Sequence, residues 1–213
     1  MTPKNQILLD HENLQQKYGI TAATIIAELP TGEASKFAFT FDDPQVKWVN
    51  SSMFESNKPV EIKMGYGDTF ETVASGDICL VKTVFSSSGA PRIEVSGEGK
   101  PFEPLVPAPV FGLEFGVELN NFIATMENQG SKKAASTSLA SSFVGNVSCI
   151  AECLGLPDIK PGVMLTLTGL SSKFNRNYLV EKVVHSWDNV YGFRTSFDGK
   201  ALPRIVKVFR PNI

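Results

Sequence analysis

A mainly β fold, built as two small β-barrels in tandem with one or two short helices, is what three features of this chain predict. Its apolar segments are short and broken by Gly and Pro, which number 17 and 13 among 213 residues. Short punctuated runs of this kind suit strands better than a bundle of long helices. Strict alternation recurs, most clearly in "SKFAFTFDD", where Phe37, Phe39 and Phe41 share one face. The third feature is a passage written twice. "KPVEIKMGYGDTFETVASGDICLV" begins at Lys58 and "KPGVMLTLTGLSSKFNRNYLVEKVV" at Lys160. Each opens Lys-Pro, alternates, reaches a Gly at its tenth position (Gly67, Gly169), bends, and re-enters a Val-rich run. Hairpins share part of this pattern generally, so the parallel stands beside a chance likeness until topology is known.

Along the chain, "NQILLD" reads as a first strand and "HENLQQKYG" as a turn or short helical segment. "ITAATIIAELP" is a strand ended by Pro30, "TGE" a turn, and "SKFAFTFDD" the next strand. In "DPQVKWVNSSMFESN" an Asp-Pro pair precedes Val46, Val49 and Met53 at about helical spacing, which predicts one to two turns of helix. "KPVEIKMGY" returns to alternation, with Val60, Ile62 and Met64 in phase. "GDICLVKTVFSSSGAPRIEVSGEG" is a hairpin turned at Ser-Ser-Ser-Gly.

"KPFEPLVPAP" holds four Pro in ten residues and cannot enter a sheet interior. It predicts a joint, with residues 1–102 as the first barrel, 103–110 as linker and 111–213 as the second barrel. Beyond it, "VFGLEFGVELNNFIATME" is strand-like, and "NQGSKKAASTSLASS" predicts an exposed, flexible loop near residues 128–142. "FVGNVSCIAECLGLP" and "KPGVMLTLTGL" are strands, "NYLVEKVVHSWDNVYGFRTSFDG" is a second hairpin turned at Asp-Asn, and "RIVKVFRPNI" reads as one more strand.

Composition narrows the function. Hydrophobic residues make up 42% and charged residues 20%, ordinary for a globular chain. A net charge of −2 and a densest basic cluster of only Lys132-Lys133 argue against nucleic-acid binding, which needs a basic face to displace counterions. No apolar run reaches the length of a membrane span, and the N-terminus lacks a signal-peptide core. Cys79, Cys149 and Cys153 read as reduced, mostly buried thiols.

Candidate chemistry is thin. His185-Ser186-Trp187-Asp188 suggests a hydrolase, but neighbours on a strand point to opposite faces, and there is no Gly-x-Ser-x-Gly elbow. Cys149 and Cys153 could be half a zinc site, yet Cys79, His11 and His185 fall at no ligand spacing. Gly65 and Gly67 suggest a phosphate loop, but Phe70 stands where a dinucleotide fingerprint needs its third Gly, and a strand follows. They read as bend residues. The acid pairs Asp42-Asp43 and Asp10/Glu12 read as solvated carboxylates at strand ends. No catalytic, cofactor-binding or metal-ligating residue is assigned, and the chain is not expected to be an enzyme.

One likeness goes further. "WVNSSMFESNKPVEIKMGYGDTFETVASGDICLVKTVFSSSGAPRIEVSGEG" resembles the first barrel of the phage late-control protein D family, the central hub of contractile tails and related injection systems. The last barrel of that family is similar to the C-terminal block here, through Pro161-Gly162, Gly169, Phe174, Tyr178-Leu179-Val180, His185 and the run Gly192 to Phe197. The resemblance implies two tube-protein-like barrels per chain, and three chains forming a pseudo-hexameric ring. That ring would meet a hexameric tail tube protein on one side and a trimeric spike protein on the other, with other baseplate proteins and the tape measure protein close by. It implies no cofactor, and a place in a virion tail baseplate or injection-system particle assembled in the host or producer cytoplasm. The oligosaccharide-binding-fold and needle regions of fused spikes have no counterpart here, so the needle is expected as a separate chain. A free-standing β-sandwich binding module for carbohydrate or protein is the alternative, with Trp187 and Tyr191 as its aromatic platform.

Overall fold

Thirteen strands, one α-helix and one 3-10 turn make up the regular structure of the computed structural model, which describes residues 2–103, 108–127 and 146–202. The predicted loop near 128–142, part of the Pro-rich joint (104–107) and the predicted tail strand lie outside the described residues. The chain is mainly β, as alternation and punctuation predict.

The first half contains β1 (Pro3–Leu9), the two-residue β2 (Glu12–Asn13), α1 (Leu14–Tyr18), β3 (Thr24–Pro30), β4 (Ala34–Asp42), β5 (Pro59–Tyr66), β6 (Thr69–Val84) and β7 (Arg92–Pro101). The second contains β8 (Val110–Glu114), β9 (Leu119–Glu127), β10 (Asn146–Leu154), β11 (Met164–Thr168), β12 (Arg176–Asp188) and β13 (Gly192–Ala201). The run read as one strand-like stretch from Val110 is two strands, parted at Gly116, whose φ of 84° only Gly adopts freely.

Setting the short β2 aside, hydrogen bonding orders the first half β1-β5-β6-β7-β4-β3. It orders the second half β8-β11-β12-β13-β10-β9. Strand for strand, these are the same path. They differ at one end, where β1 runs antiparallel to β5 and β8 runs parallel to β11. The two Gly residues that mark the repeated passage are both left-handed bends, Gly67 at φ 61° and Gly169 at φ 75°. Both hairpins also carry a one-residue bulge at the same place, skipping Cys79 in β6 and Glu181 in β12. A bulge twists a strand and fixes its register, so a shared bulge is a more specific likeness than a shared hairpin.

Two apolar cores result. The first is aromatic and branched, with Phe37, Phe39, Phe41, Ile62, Met64 and Val95 at its centre. The second gathers around Tyr178, Leu165, Leu167, Val180 and Phe197. The halves share one continuous sheet because β3 pairs antiparallel with β12 from Thr24↔Asp188 to Pro30↔Lys182. Strand pairing therefore joins the halves, in addition to the Pro-rich connection. Phe193 of β13 completes the first core from the other side.

The helix predicted from Pro44 is a correction. Residues 44–50 hold two turns and a bend, and only Ser52–Phe54 makes a single 3-10 turn. The reason is Asp43. Its buried carboxylate accepts from the backbone N–H groups of Lys47 at 3.0 Å, Trp48 at 2.7 Å and Val49 at 3.2 Å. An Asp that gathers nearby N–H groups offers the backbone an alternative to helical bonds. Val46, at φ 54°, confirms a non-helical path. Val49 and Met53 still pack on the first core, so their spacing signalled burial without a helix.

Candidate assembly edges

The residues singled out for chemistry are spread through the frame of the fold. His185 on β12 is fully buried, with Nδ1 3.0 Å from the Thr195 hydroxyl and its ring 5.8 Å from that of Phe193. Thr195 accepts from the Leu156 N–H at 2.9 Å. Burial lowers the His185 pKa to about 3; the Lys160 charge adds to this and a backbone hydrogen bond at Ile159 opposes it. The imidazole is thus neutral at physiological pH, a packed member of the joint between halves.

Cys149 and Cys153 are buried on β10, and burial pushes both thiols up to about 12. Cys79 is exposed, at the β6 bulge. No group of three His, Cys, Asp or Glu among the described residues is placed to hold a metal ion. Of the acid pairs, Asp42 bonds Arg92 Nε at 2.9 Å, and Glu12 bonds Lys17 and the Tyr18 hydroxyl. Asp43 corrects the solvated reading, since its three backbone partners hold it inside. Trp187 packs against the first core, while Tyr191 is exposed beneath the Arg194 guanidinium at 4.6 Å. The two rings therefore do not share a platform. A cleft of about 1140 Å³ is lined by Leu8, Leu29, Val60, Val73 and Phe102, with Lys160 reaching in from the second half.

What the fold leaves unfinished is backbone. Among the described residues the sheet path ends at β9, which pairs with β10 and otherwise makes a single bridge, from Leu119 to Phe115. A second open edge lies on β6. From Thr69 to Asp77 this strand bonds β5 on one side, and from Asp77 to Val84 it bonds β7 on the other. Ile78 still bonds Asn57 and Lys58 on the β5 side, and beyond it that side, from Leu80 to Val84, is left without a strand among the described residues. Both edges carry exposed apolar side chains: Ile123 (58%) and Met126 on β9, Leu80 (59%) and Val81 on β6, and Phe85 (66%) just beyond it. Soluble monomers blunt such edges with charge, Pro or cover, because an unpaired apolar edge is a template for another strand. Alternation in the sequence could not single these edges out, since it shows which residues share a face and not which strand lacks a neighbour.

No family model and no curated protein matches the chain. Solved structures do. The tail protein from Neisseria meningitidis MC58 superposes with a TM-score of 0.64 at 8% identity, over 94% of this chain and 97% of that one. This chain has the fold of a tail protein. The 43 kDa tail protein of prophage MuSo2 from Shewanella oneidensis gives a TM-score of 0.57 at 7% identity, over 93% and 96% of the two chains. The E. coli c3393 protein, a type VI secretion component described as similar to the T4 bacteriophage tail proteins gp27 and gp5, gives 0.56 at 10% identity over 87% and 74%. The tail-protein fold thus extends over nearly the whole chain, both halves together.

Proposed function

We propose that this protein is a structural baseplate hub of a contractile tail, a trimer whose ring of six similar units joins a hexameric tail tube to a trimeric central spike. In this reading residues 1–102 and 111–213 are two copies of one tube-like barrel, with 103–110 between them. The observation that carries it is the repeated strand order, together with an intrachain joint in which the last strand of one unit (β3) pairs with the long hairpin strand of the other (β12). A head-to-tail contact of this kind repeats until it closes into a ring or runs on as a filament. Two units per chain allow one face to present six-fold and the other three-fold symmetry. The role is geometric and non-enzymatic, and tape measure and other baseplate proteins would be further neighbours. The tail-protein fold supports this assignment.

Electron microscopy of the assembled particle tests it. Three copies of this chain are expected around the central axis between tube and spike. Six copies in one ring, or a position on the outer sheath, would overturn the adapter role.

A further inference from the structure

We propose that the two open edges pair with each other between copies of this chain: β9 of one copy adds antiparallel to the Leu80–Ser86 segment of the next. The register is set by the β3–β12 joint. This rests on the ring reading above and names the contact that would build the ring.

The residue correspondence follows from the strand ladders. The shared bulge aligns Leu80, Val81, Lys82, Thr83, Val84 and Phe85 with Lys182, Val183, Val184, His185, Ser186 and Trp187. In both hairpins the ladder leads back to a Gly opposite the residue before the bulge, Ile78↔Gly97 and Val180↔Gly199. Those glycines in turn face Phe37 on β4 and Cys149 on β10. Phe37 faces Ala27 on β3, and Cys149 faces Ala124 on β9. Ala124 therefore stands where Ala27 does, with Ile123 for Ile26 and Met126 for Leu29.

Inside the chain His185 lies opposite Ala27 and Val183 opposite Leu29. Carried to the open edges, this places Thr83 opposite Ala124, Val81 opposite Met126, Lys82 opposite Thr125 and Phe85 opposite Phe122.

Burial follows the same correspondence. On β3, the inward residues Ile25, Ala27 and Leu29 are buried; on β9, Phe122 and Ala124 are only half-buried and Met126 is exposed. On β12, Val183 and His185 are buried and Trp187 is half-buried; on β6 and beyond it, Val81 and Phe85 are exposed and Thr83 half-buried. Each inward position is thus one step or more wetter than its joint counterpart, the direction expected where a neighbour strand is missing. Main-chain pairing supplies such a contact with affinity, and the alternate inward side chains supply its register.

The test places cysteines at one opposed pair, Lys82→Cys with Thr125→Cys, in a chain where exposed Cys79 is Ser. Lys82 and Thr125 are exposed, so the fold should tolerate both changes, checked by an unaltered melting midpoint. Mild oxidation is expected to give covalent trimers that reduction returns to monomers. An offset pair, Lys82→Cys with Ile123→Cys, lies two residues out of register and should link at least about fivefold more slowly, since a disulfide needs its Cα atoms within roughly 7 Å. A trimer by light scattering in which the matched pair links no faster than the offset one would overturn the edge pairing and leave the ring standing. Matched links that grow into ladders beyond three would uphold the pairing and overturn closure. A monomer at every concentration, with no links, would overturn both.

Discussion

At one cross-strand position the two halves exchange a large side chain for a small one. In the first, Phe39 on β4 lies opposite Val95 on β7; in the second, Ala151 on β10 lies opposite Phe197 on β13. All four are buried. The flanking positions continue the trend, with Phe37 and Phe41 matched by Cys149 and Cys153. Volume removed from β10 reappears on β13, in Phe197, and on β9, where Phe122 stands in the place of Ile25 and packs 6.0 Å from the Tyr178 ring. A core needs total volume and patterning more than it needs a given residue at a given site. The strand path, bulge and left-handed glycines are therefore alike in both halves while their core side chains differ.

The largest expected effects test that exchange. Phe39→Ala and Phe197→Ala should each cost about 3–5 kcal/mol, because each removes a buried ring from a well-packed core. The sharper experiment imports the first half's pair into the second. Ala151→Phe alone overpacks and Phe197→Val alone leaves a void. Together they restore the Phe39/Val95 arrangement, and a coupling of about 1–3 kcal/mol in their favour is expected from denaturant midpoints. Additive losses would show that the two cores are not interchangeable solutions to one packing problem.

Next come the glycines opposite the bulges. A Cβ on Gly97 would lie inside the Asp77 carbonyl and the Phe37 ring, whereas one on Gly199 would meet Cys149 Sγ at 3.2 Å and Tyr178 Cβ at 3.3 Å. Gly97→Ala should therefore destabilise by about 3 kcal/mol and Gly199→Ala by about 1. The difference traces partly to the same Phe-for-Cys exchange and partly to the backbone, since the new Cβ would clash with the Asp77 carbonyl oxygen at Gly97 but lie 3.6 Å from that of Leu179 at Gly199. Phe37→Ala in the Gly97→Ala background should relieve only the ring part of the clash, since the carbonyl contact remains.

Strands announced themselves wherever one face is buried, as in β4, β5 and the two hairpins. The repeated strand order is foreshadowed by the bend glycines, whose left-handed conformations tolerate few other residues, but not by the Lys-Pro pairs, since Pro59 lies opposite Asp77 while Met164, not Pro161, holds the matching place opposite Leu179. Core identity could not reveal it, since Phe39 and Ala151 look unrelated. Apolar spacing predicts a helix from Pro44 because it cannot show that Asp43 holds three backbone N–H groups. The assembly edges were not legible as sites. Ile123 and Ile26 look alike in the sequence, and only topology shows that β3 has a neighbour on the side where, among the described residues, β9 has none.

Acid should act on the intrachain joint and not on the matching open edge. His185 is buried in the intrachain joint, and its counterpart at the open edge is Thr83, which does not titrate. The folded pKa of His185, about 3, lies below the ordinary value of 6.5. Between these values the unfolded chain binds a proton that the native chain does not, so stability falls as pH drops, by up to about 1.4 kcal/mol per unit. Above pH 6.5 both states are neutral at this site and the effect is absent. Around pH 5 the loss should be roughly 2 kcal/mol, and His185→Phe should flatten this part of the pH profile. An unchanged slope would place the acid sensitivity elsewhere in the chain.

The smallest effect leaves stability untouched and reports on how tightly the second half is closed. Its core strand β10 carries Cys149 and Cys153 where the first half has Phe37 and Phe41. Burial holds both thiols near 12, and reaction requires a thiolate that a reagent can reach. Cys79 is exposed and within reach of a reagent. A colorimetric thiol assay on native protein is therefore expected to titrate one group quickly and the other two only on unfolding. Slow reaction of the remaining pair under native conditions would measure opening of the second half directly. If their rate matched that of global unfolding, the two cores would be one cooperative unit, joined through β3 and β12. If it were much faster, the second half opens while the first stays closed, and the aromatic core is the sturdier of the two.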